Sequence, residues 1–419
     1  MNNFDEKDML TRELRERSAD VGGHPIGFDA VRQSARKIQR RRTIVSGAVA
    51  AVVATIAIPG GVALTSAIND PNDPAKTPSI AASPSEKPAP PPRPDGTFPF
   101  TIKGLPRGEN PQLNYVVAGE RTMVTPKGEV ELPEAYSQVV PYRDGWLALY
   151  GGQNGYENVI LDEDMGIEST TLAGEAIAVS ADGSRVLTAQ RDFNVRGRTV
   201  VLDSPATSDY EREQITWDAP DNSQVRPVGY LDEQTVVFQA TDQEGRNEVL
   251  MGVGDNDPRT VPLEGFLSVS SASAVNGLVA GQVSYDDKTG RGCYGAMDPR
   301  ASTTEMVWET CDYEPQAFSP DGRFVVAGSP DSDGLGSPTL SVLDARSGEP
   351  VVEFTPEKDV FVAVSGAAWE DEDTVVAAVV ERDRMAMVRA ELSGRLEIVS
   401  DAYPSEMDVP IWFAETPRW

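Results

Sequence analysis

Six hairpin turns recur at a nearly constant interval along most of this chain. Centred on Asp144, Asp182, Asp232, Asn276, Asp321 and Asp371, they stand 38, 50, 44, 45 and 50 residues apart. A repeat of about 45 residues is the length of one four-stranded propeller blade, a sheet that must stack on a neighbour to bury its faces. In the clearest copies, VSADGSRVLTA (179–189) and FSPDGRFVVAG (318–328), an inner strand meets a tight Asp-Gly turn and returns as a more hydrophobic strand. VVPYRDGWLALY, GYLDEQTVVFQA, ASAVNGLVAG and AAWEDEDTVVAAV are weaker copies. A pair of β-sandwiches with similar turns would not keep so steady a period.

Between those turns lies a second set of strand ends, in VILDEDMG, TVVLDSPATSD, CYGAMDPRAS and LSVLDARSGEPV. Two hairpins per repeat make a four-stranded blade. NYVVAGERTMVTPKGEVELP, before Asp144, holds strands for one more, so residues 98–419 predict seven blades, with six as the alternative. No helical pattern of ten or more residues interrupts the region, and the fold class is all-β. Ring closure requires the first and last strands to share a blade, and IWFAETPRW (411–419) is the expected partner of the opening segment. The FSPDGRFVVAG unit and the LDARSGEP turn resemble repeats of WD-type and TolB-type β-propellers, which implies the same ring.

The N-terminal part reads differently. Residues 44–68, IVSGAVAAVVATIAIPGGVALTSAI, contain no charge. As a helix they would exceed the roughly 30 Å hydrocarbon core of a bilayer, with Pro59 set to kink it. Arg36, Lys37, Arg40, Arg41 and Arg42 crowd one flank while Asp70 and Asp73 follow the other, so the positive-inside rule predicts a cytoplasmic N-terminus. A signal peptide cleaved near Thr65-Ser66-Ala67 is the rival reading, but the preceding 43 residues far exceed an ordinary n-region. Residues 69–97 hold nine prolines, including Pro90-Pro91-Pro92, and read as an extended disordered linker.

The expected organisation is therefore a basic tail (1–43) with short helices, a transmembrane helix (44–68), a Pro-rich linker (69–97) and an extracytoplasmic propeller (98–419). LRERSADVGG and FDAVRQSARKIQRRR, followed by the apolar stretch, resemble the N-termini of actinobacterial single-pass membrane proteins, some of them anti-sigma-type regulators. That resemblance implies a tail able to dock a cytoplasmic protein. Zinc-binding tails of that kind use His and Cys, whereas this one has His24 alone and no Cys, so a metal-dependent version is not supported.

Charge follows the same division. Residues 1–43 carry ten Lys/Arg and seven Asp/Glu, while the rest carries 27 basic and 59 acidic side chains. A net charge of −29 excludes nucleic acid as a partner. The two cysteines, Cys293 and Cys311, flank one expected hairpin and are read as a structural disulfide of an oxidising compartment.

The single histidine, His24, lies in the tail, so Ser-His-Asp, Cys-His and His-ligated zinc chemistry are excluded from the propeller. Acidic groups at 162–164 and 370–373 read as solvated blade turns. Asp331-Ser332-Asp333-Gly334 opens like a calcium loop but lacks the glutamate at its twelfth position. No phosphate loop, nucleophile elbow or metal motif is present, and no catalytic, cofactor or metal residues are assigned.

The expected function is that of a membrane-anchored binding, scaffold or sensor module. Its partners would be the lipid around its anchor, a protein or cell-envelope ligand on the propeller loop face, and a cytoplasmic protein at the tail. It is expected not to be an enzyme. One alternative is an anti-sigma-like regulator acting through the tail. Another is a His-independent propeller enzyme, a carboxylate-based lyase or glycan-processing protein, with carboxylates of raised pKa converging on the central channel.

Overall fold

A strand covered on both faces has no polar side, and the second strand of several repeats is built that way. Thr235–Thr241 (TVVFQAT) and Thr374–Glu381 (TVVAAVVE) are buried along nearly their whole length, without the polar alternation of a half-exposed strand. Such strands require a sheet stacked between two others.

The computed structural model describes residues 92–93, 96–400, 403–404 and 411–413, except for 118, 153–154, 192–198, 207–213, 255–257, 303 and 332–335. The tail with its flanking arginines and Lys37, the apolar segment 44–68, most of the Pro-rich linker and three of the four residues of the calcium-like loop lie outside it. Among the described residues no helix is long and apolar enough to cross a membrane.

The described residues form seven sheets, each built on an antiparallel four-stranded meander, the blades of a seven-bladed β-propeller. Blades 2 to 5 run in sequence from the strands Gln138–Tyr142, Ala178–Val179, Gln224–Tyr230 and Ser268–Ala272. Blade 6 opens with Glu314–Phe318 and blade 7 with Val362–Trp369. Each is a meander ordered first to fourth strand. Blade 1 takes its first strand from the other end of the chain: Ile411–Phe413 pairs antiparallel with Tyr115–Val117, which continues to Thr122–Thr125 and Gly128–Glu131. The expected closure and the count of seven are both found.

One element was not foreseen. Phe98–Phe100 does not open blade 1; it adds in parallel to the outer edge of blade 6, with Phe98 opposite Phe354. From there the chain crosses blade 7. The Ile102 amide and Thr101 hydroxyl donate to Glu381 Oε2 at 2.6 and 2.8 Å, and Gly108 N donates to the Ile398 carbonyl at 2.8 Å. Only then does it enter blade 1.

Seven hydrophobic clusters fill the seven seams between neighbouring blades. Val139, Ala148 and Val159 of blade 2 pack on Val116 and Met123 of blade 1, for example, and Trp217 of blade 3 packs on Val236 and Phe238 of blade 4. Polar side chains stitch several seams. Asp203 accepts from Arg185 Nε and Nη2 at 3.1 and 2.5 Å within blade 3 and from the Tyr230 hydroxyl of blade 4 at 3.0 Å. The indoles of Trp308 and Trp369 each donate across a seam to a backbone carbonyl at 2.9 Å.

The six turn residues all fall in the hairpins joining first to second strands, so they share one face of the ring, the turn face. Asp182 and Asp321 sit in matching staples. The hydroxyls of Ser180 and Ser319 donate to the aspartate at 2.6 and 2.7 Å, the aspartate accepts the amide two residues on, and Gly183 and Gly322 follow at φ near +70°. These hydrogen bonds hold the Asp182 and Asp321 carboxyls below the usual aspartate range, against the opposing effect of burial.

Candidate functional site

First strands of the seven blades stand innermost in the ring, and a cavity lies at each face. At the turn face a cavity of about 280 Å³ is lined from all seven blades, by Pro141, Ser180, Tyr230, Ser271, Phe318, Trp369 and Phe413 among others. The lining is mostly small or apolar. The turn aspartates do not converge on it; Asp182, Asp232, Asp321 and Asp371 accept backbone amides of their own turns. Asn276 instead reaches the next blade, donating to the Gly322 carbonyl at 2.6 Å.

The opposite mouth is polar. A cavity of about 470 Å³ is walled by Tyr156 and Tyr294 and carries Glu175, Arg226, Ser268, Gln282 and Glu314. Three of these occupy the same place in successive blades. Inner strands of blades 4, 5 and 6 each carry a bulge, between Pro227 and Gly229, Val269 and Ser271, and Pro315 and Ala317, and the residue before each bulge pair is Arg226, Ser268 and Glu314. A bulge re-aims side chains and is frequent beside functional sites. Glu175 enters just ahead of the first strand of blade 3, its amide bonded to the Val225 carbonyl at 3.1 Å.

The charges at this mouth are not paired with one another. Arg226 donates through Nη2 to the Val269 carbonyl and to Gln239 Oε1, both neutral acceptors. Among the described residues no carboxylate forms an ion pair with it. Burial pulls its pKa below the ordinary arginine value, and Glu175 opposes that only through space. Burial pushes the Glu314 carboxyl above the usual range, with partial relief from the Tyr294 hydroxyl. Tyr294 is in turn pushed up to about 12, first by burial and then by Glu314.

Elsewhere several buried charges are paired. Arg185 and Asp203 are 5% and 3% exposed and bonded at two points, and Arg389 is clasped by Glu370 and Glu397. Glu370 thereby corrects an expectation. It is a buried ion-pair partner that also accepts the Gln112 amide at 2.6 Å, whereas Asp371 and Asp373 follow it in an exposed turn. Asp162 accepts the amides of Asp164 and Gly166 and closes its own turn.

Cys293 and Cys311 form a disulfide within blade 5, beside the ladder that pairs Tyr294 with Thr310. No group of His, Cys, Asp and Glu able to hold a metal occurs among the described residues.

The seven sheets define a seven-bladed β-propeller, and several solved structures are similar to this chain. The β-propeller domain of the Trilobed protease from Pyrococcus furiosus matches at 11% identity over 64% of this chain and 84% of that one, with a TM-score of 0.42. Prolyl oligopeptidase B from Galerina marginata matches at 9% identity over 65% of this chain, with a TM-score of 0.44. The match covers 43% of that peptidase, so this chain spans less than half its length. Dihydro-heme d1 dehydrogenase NirN matches at 15% identity over 76% and 79% of the two chains, with a TM-score of 0.42. No protein-family model matches the sequence, and no curated protein sequence matches it. At such identities the likeness extends to the fold alone.

These neighbours correct one expectation. That the chain is not an enzyme does not follow from its fold, since structures similar in fold include peptidases and a dehydrogenase. A histidine-free ring excludes histidine-based mechanisms and nothing wider.

The polar mouth was missed in the sequence. Arg226, Glu175 and Glu314 each look like a solvated residue ahead of a strand. Aligning the repeats on their turns would have exposed them, since Glu175 and Glu314 both stand seven residues before a turn aspartate and Arg226 stands six before Asp232.

Proposed function

We propose that this chain is an extracytoplasmic recognition module, held at the membrane by residues 44–68, whose propeller binds a protein or cell-envelope ligand at the Arg226 mouth. One observation carries the reading: four successive blades deliver Glu175, Arg226, Ser268 and Glu314 to one cavity and leave the charges unpaired. Holding half-buried charges apart costs stability, so a fold that keeps such a set suggests a ligand that completes it. Localisation is supported by the uncharged segment 44–68, the basic residues before it and the Cys293–Cys311 disulfide.

Photo-crosslinking in whole cells tests the site. A benzophenone side chain in place of Ser268 is expected to trap one discrete adduct, and the same group at Glu349 on an exposed outer turn is expected to trap none. Equal adducts from both positions, or none from Ser268, would refute it. For localisation, Glu349→Cys should react with a membrane-impermeant maleimide in intact cells.

A second reading of the same mouth, carboxylate-based catalysis on a glycan, is favoured by Glu314, whose raised pKa suits a general acid. Release of unsaturated uronides or new reducing ends by the wild type, lost in Glu314→Gln, is its expected signature.

A further inference from the structure

We propose that the Arg226 mouth binds a small zwitterion, a ligand carrying a carboxylate and a primary amine, such as a free amino acid or an unblocked short peptide. The proposal deepens the reading above and rests on its choice of mouth.

The cavity holds both signs of charge and brings neither to its opposite. Arg226 stands on blade 4 and Glu314 on blade 6, with the Ser268 strand between them, while Glu175 lies on the other side at blade 3. Among the described residues none of these side chains forms the kind of ion pair made by Arg185 and Asp203, and Glu175 acts on Arg226 only through space. A lone anion would satisfy Arg226 and leave Glu314 uncompensated. A lone cation would do the reverse, and a neutral ligand would serve neither. A molecule with both charges, a few bonds apart, serves both.

The hydrogen-bond inventory agrees. Arg226 uses only Nη2 on protein acceptors, so Nη1 and Nε remain as donors on separate edges of the guanidinium, each able to take one oxygen of a carboxylate. Among the described residues Glu314 accepts from the Tyr294 phenol and retains acceptor capacity for an ammonium. A volume of about 470 Å³ suits a ligand of that size, since small-molecule pockets span roughly 300–1,000 Å³. Tyr156 and Tyr294 supply apolar walls for the carbon frame between the charges.

Titration calorimetry on the full chain in detergent decides it, with alanyl-alanine, its N-acetyl form and its C-terminal amide as probes. Alanyl-alanine is expected to bind, and blocking either end should weaken binding at least about tenfold. Arg226→Gln should lower alanyl-alanine to the affinity of the amide form and leave that form unchanged. Glu314→Gln should do the same with respect to the acetyl form. Binding of free alanine in place of the dipeptide would support the proposal equally and set the ligand's length. No binding of either at millimolar concentration, or equal affinity for free and blocked forms, overturns it. The blocked probes act on the wild type, so a variant that fails to fold leaves the test intact. The Ser268 crosslink is read separately, so an adduct there without zwitterion binding refutes this inference and spares the broader one.

Discussion

Asp203→Ala tests how far the ring depends on a paired charge in a seam. Asp203 is 3% exposed and accepts three hydrogen bonds, two from the Arg185 guanidinium and one from Tyr230 of the next blade. Arg185 is also 5% exposed, lies 4.5 Å over the Tyr230 ring and donates to the Glu233 carbonyl at 2.7 Å. Truncating the aspartate removes the carboxylate that this buried guanidinium bonds at two points. Breaking a buried pair in this way costs about 3–5 kcal/mol, a large share of the 5–15 kcal/mol that typically holds a domain together. At roughly 2 °C per kcal/mol for a domain this large, the melting temperature should fall by about 6–10 °C. Trp217 is fully buried in the same seam, so its fluorescence in a urea titration reports the loss. Replacing both partners, as Arg185→Met with Asp203→Leu, should restore most of the stability, because an apolar pair carries no desolvation cost. The reasoning fails if Asp203→Ala costs under about 1 kcal/mol, or if the double variant is no better than the single.

Three further outcomes are expected. Replacing Cys293 and Cys311 by serine releases a loop of 18 residues and should lower unfolding stability by about 3 kcal/mol, measured by urea titration beside a reduced wild-type control. Glu314 has a folded-state pKa raised by burial, so its protonated form favours the fold below the unfolded pKa and that contribution is lost as pH rises through the folded one. Glu314→Gln should therefore match the wild type in acid and gain on it toward neutral pH, and melting curves across that range that stay parallel would contradict this. A Cβ on Gly281 would stand 2.2 Å from the Ser268 carbonyl and 2.6 Å from the Val269 Cα, so Gly281→Ala should destabilise by about 1–3 kcal/mol and disturb the polar mouth together with blade 5.

The ring was legible in the sequence because its signals are local. Ser180-Ala181-Asp182-Gly183 and Ser319-Pro320-Asp321-Gly322 carry their own hydrogen bonds, and the strand after each turn is apolar because a blade is covered on both faces. The closing strand at Ile411 was legible from the demand that a ring have no free edge. Phe98–Phe100 was not, since three residues adding in parallel to a distant strand leave no periodic trace. The polar mouth was hidden for a related reason. Arg226, Glu175 and Glu314 lie in different repeats and meet only once the ring closes, whereas the conspicuous acidic run 370–373 divides into a buried ion-pair partner and an exposed turn. The expectation of a non-catalytic chain rested on a missing residue type, and absence of one chemistry carries no information about others.

The strand at Phe98 also determines how the ring would bear load. A pull applied through the chain ahead of it arrives first at Arg93, whose guanidinium holds Thr355 Oγ1 at 2.8 Å, and then at a ladder on the rim of blade 6. Next it meets the Glu381 and Ile398 contacts on blade 7. Tension is spent in shear along an outer edge before it can reach the short Ile411–Phe413 pairing that seals blade 1. A pull from the N-terminal side is thus taken up by blades 6 and 7 before it reaches the three-residue closure of the ring.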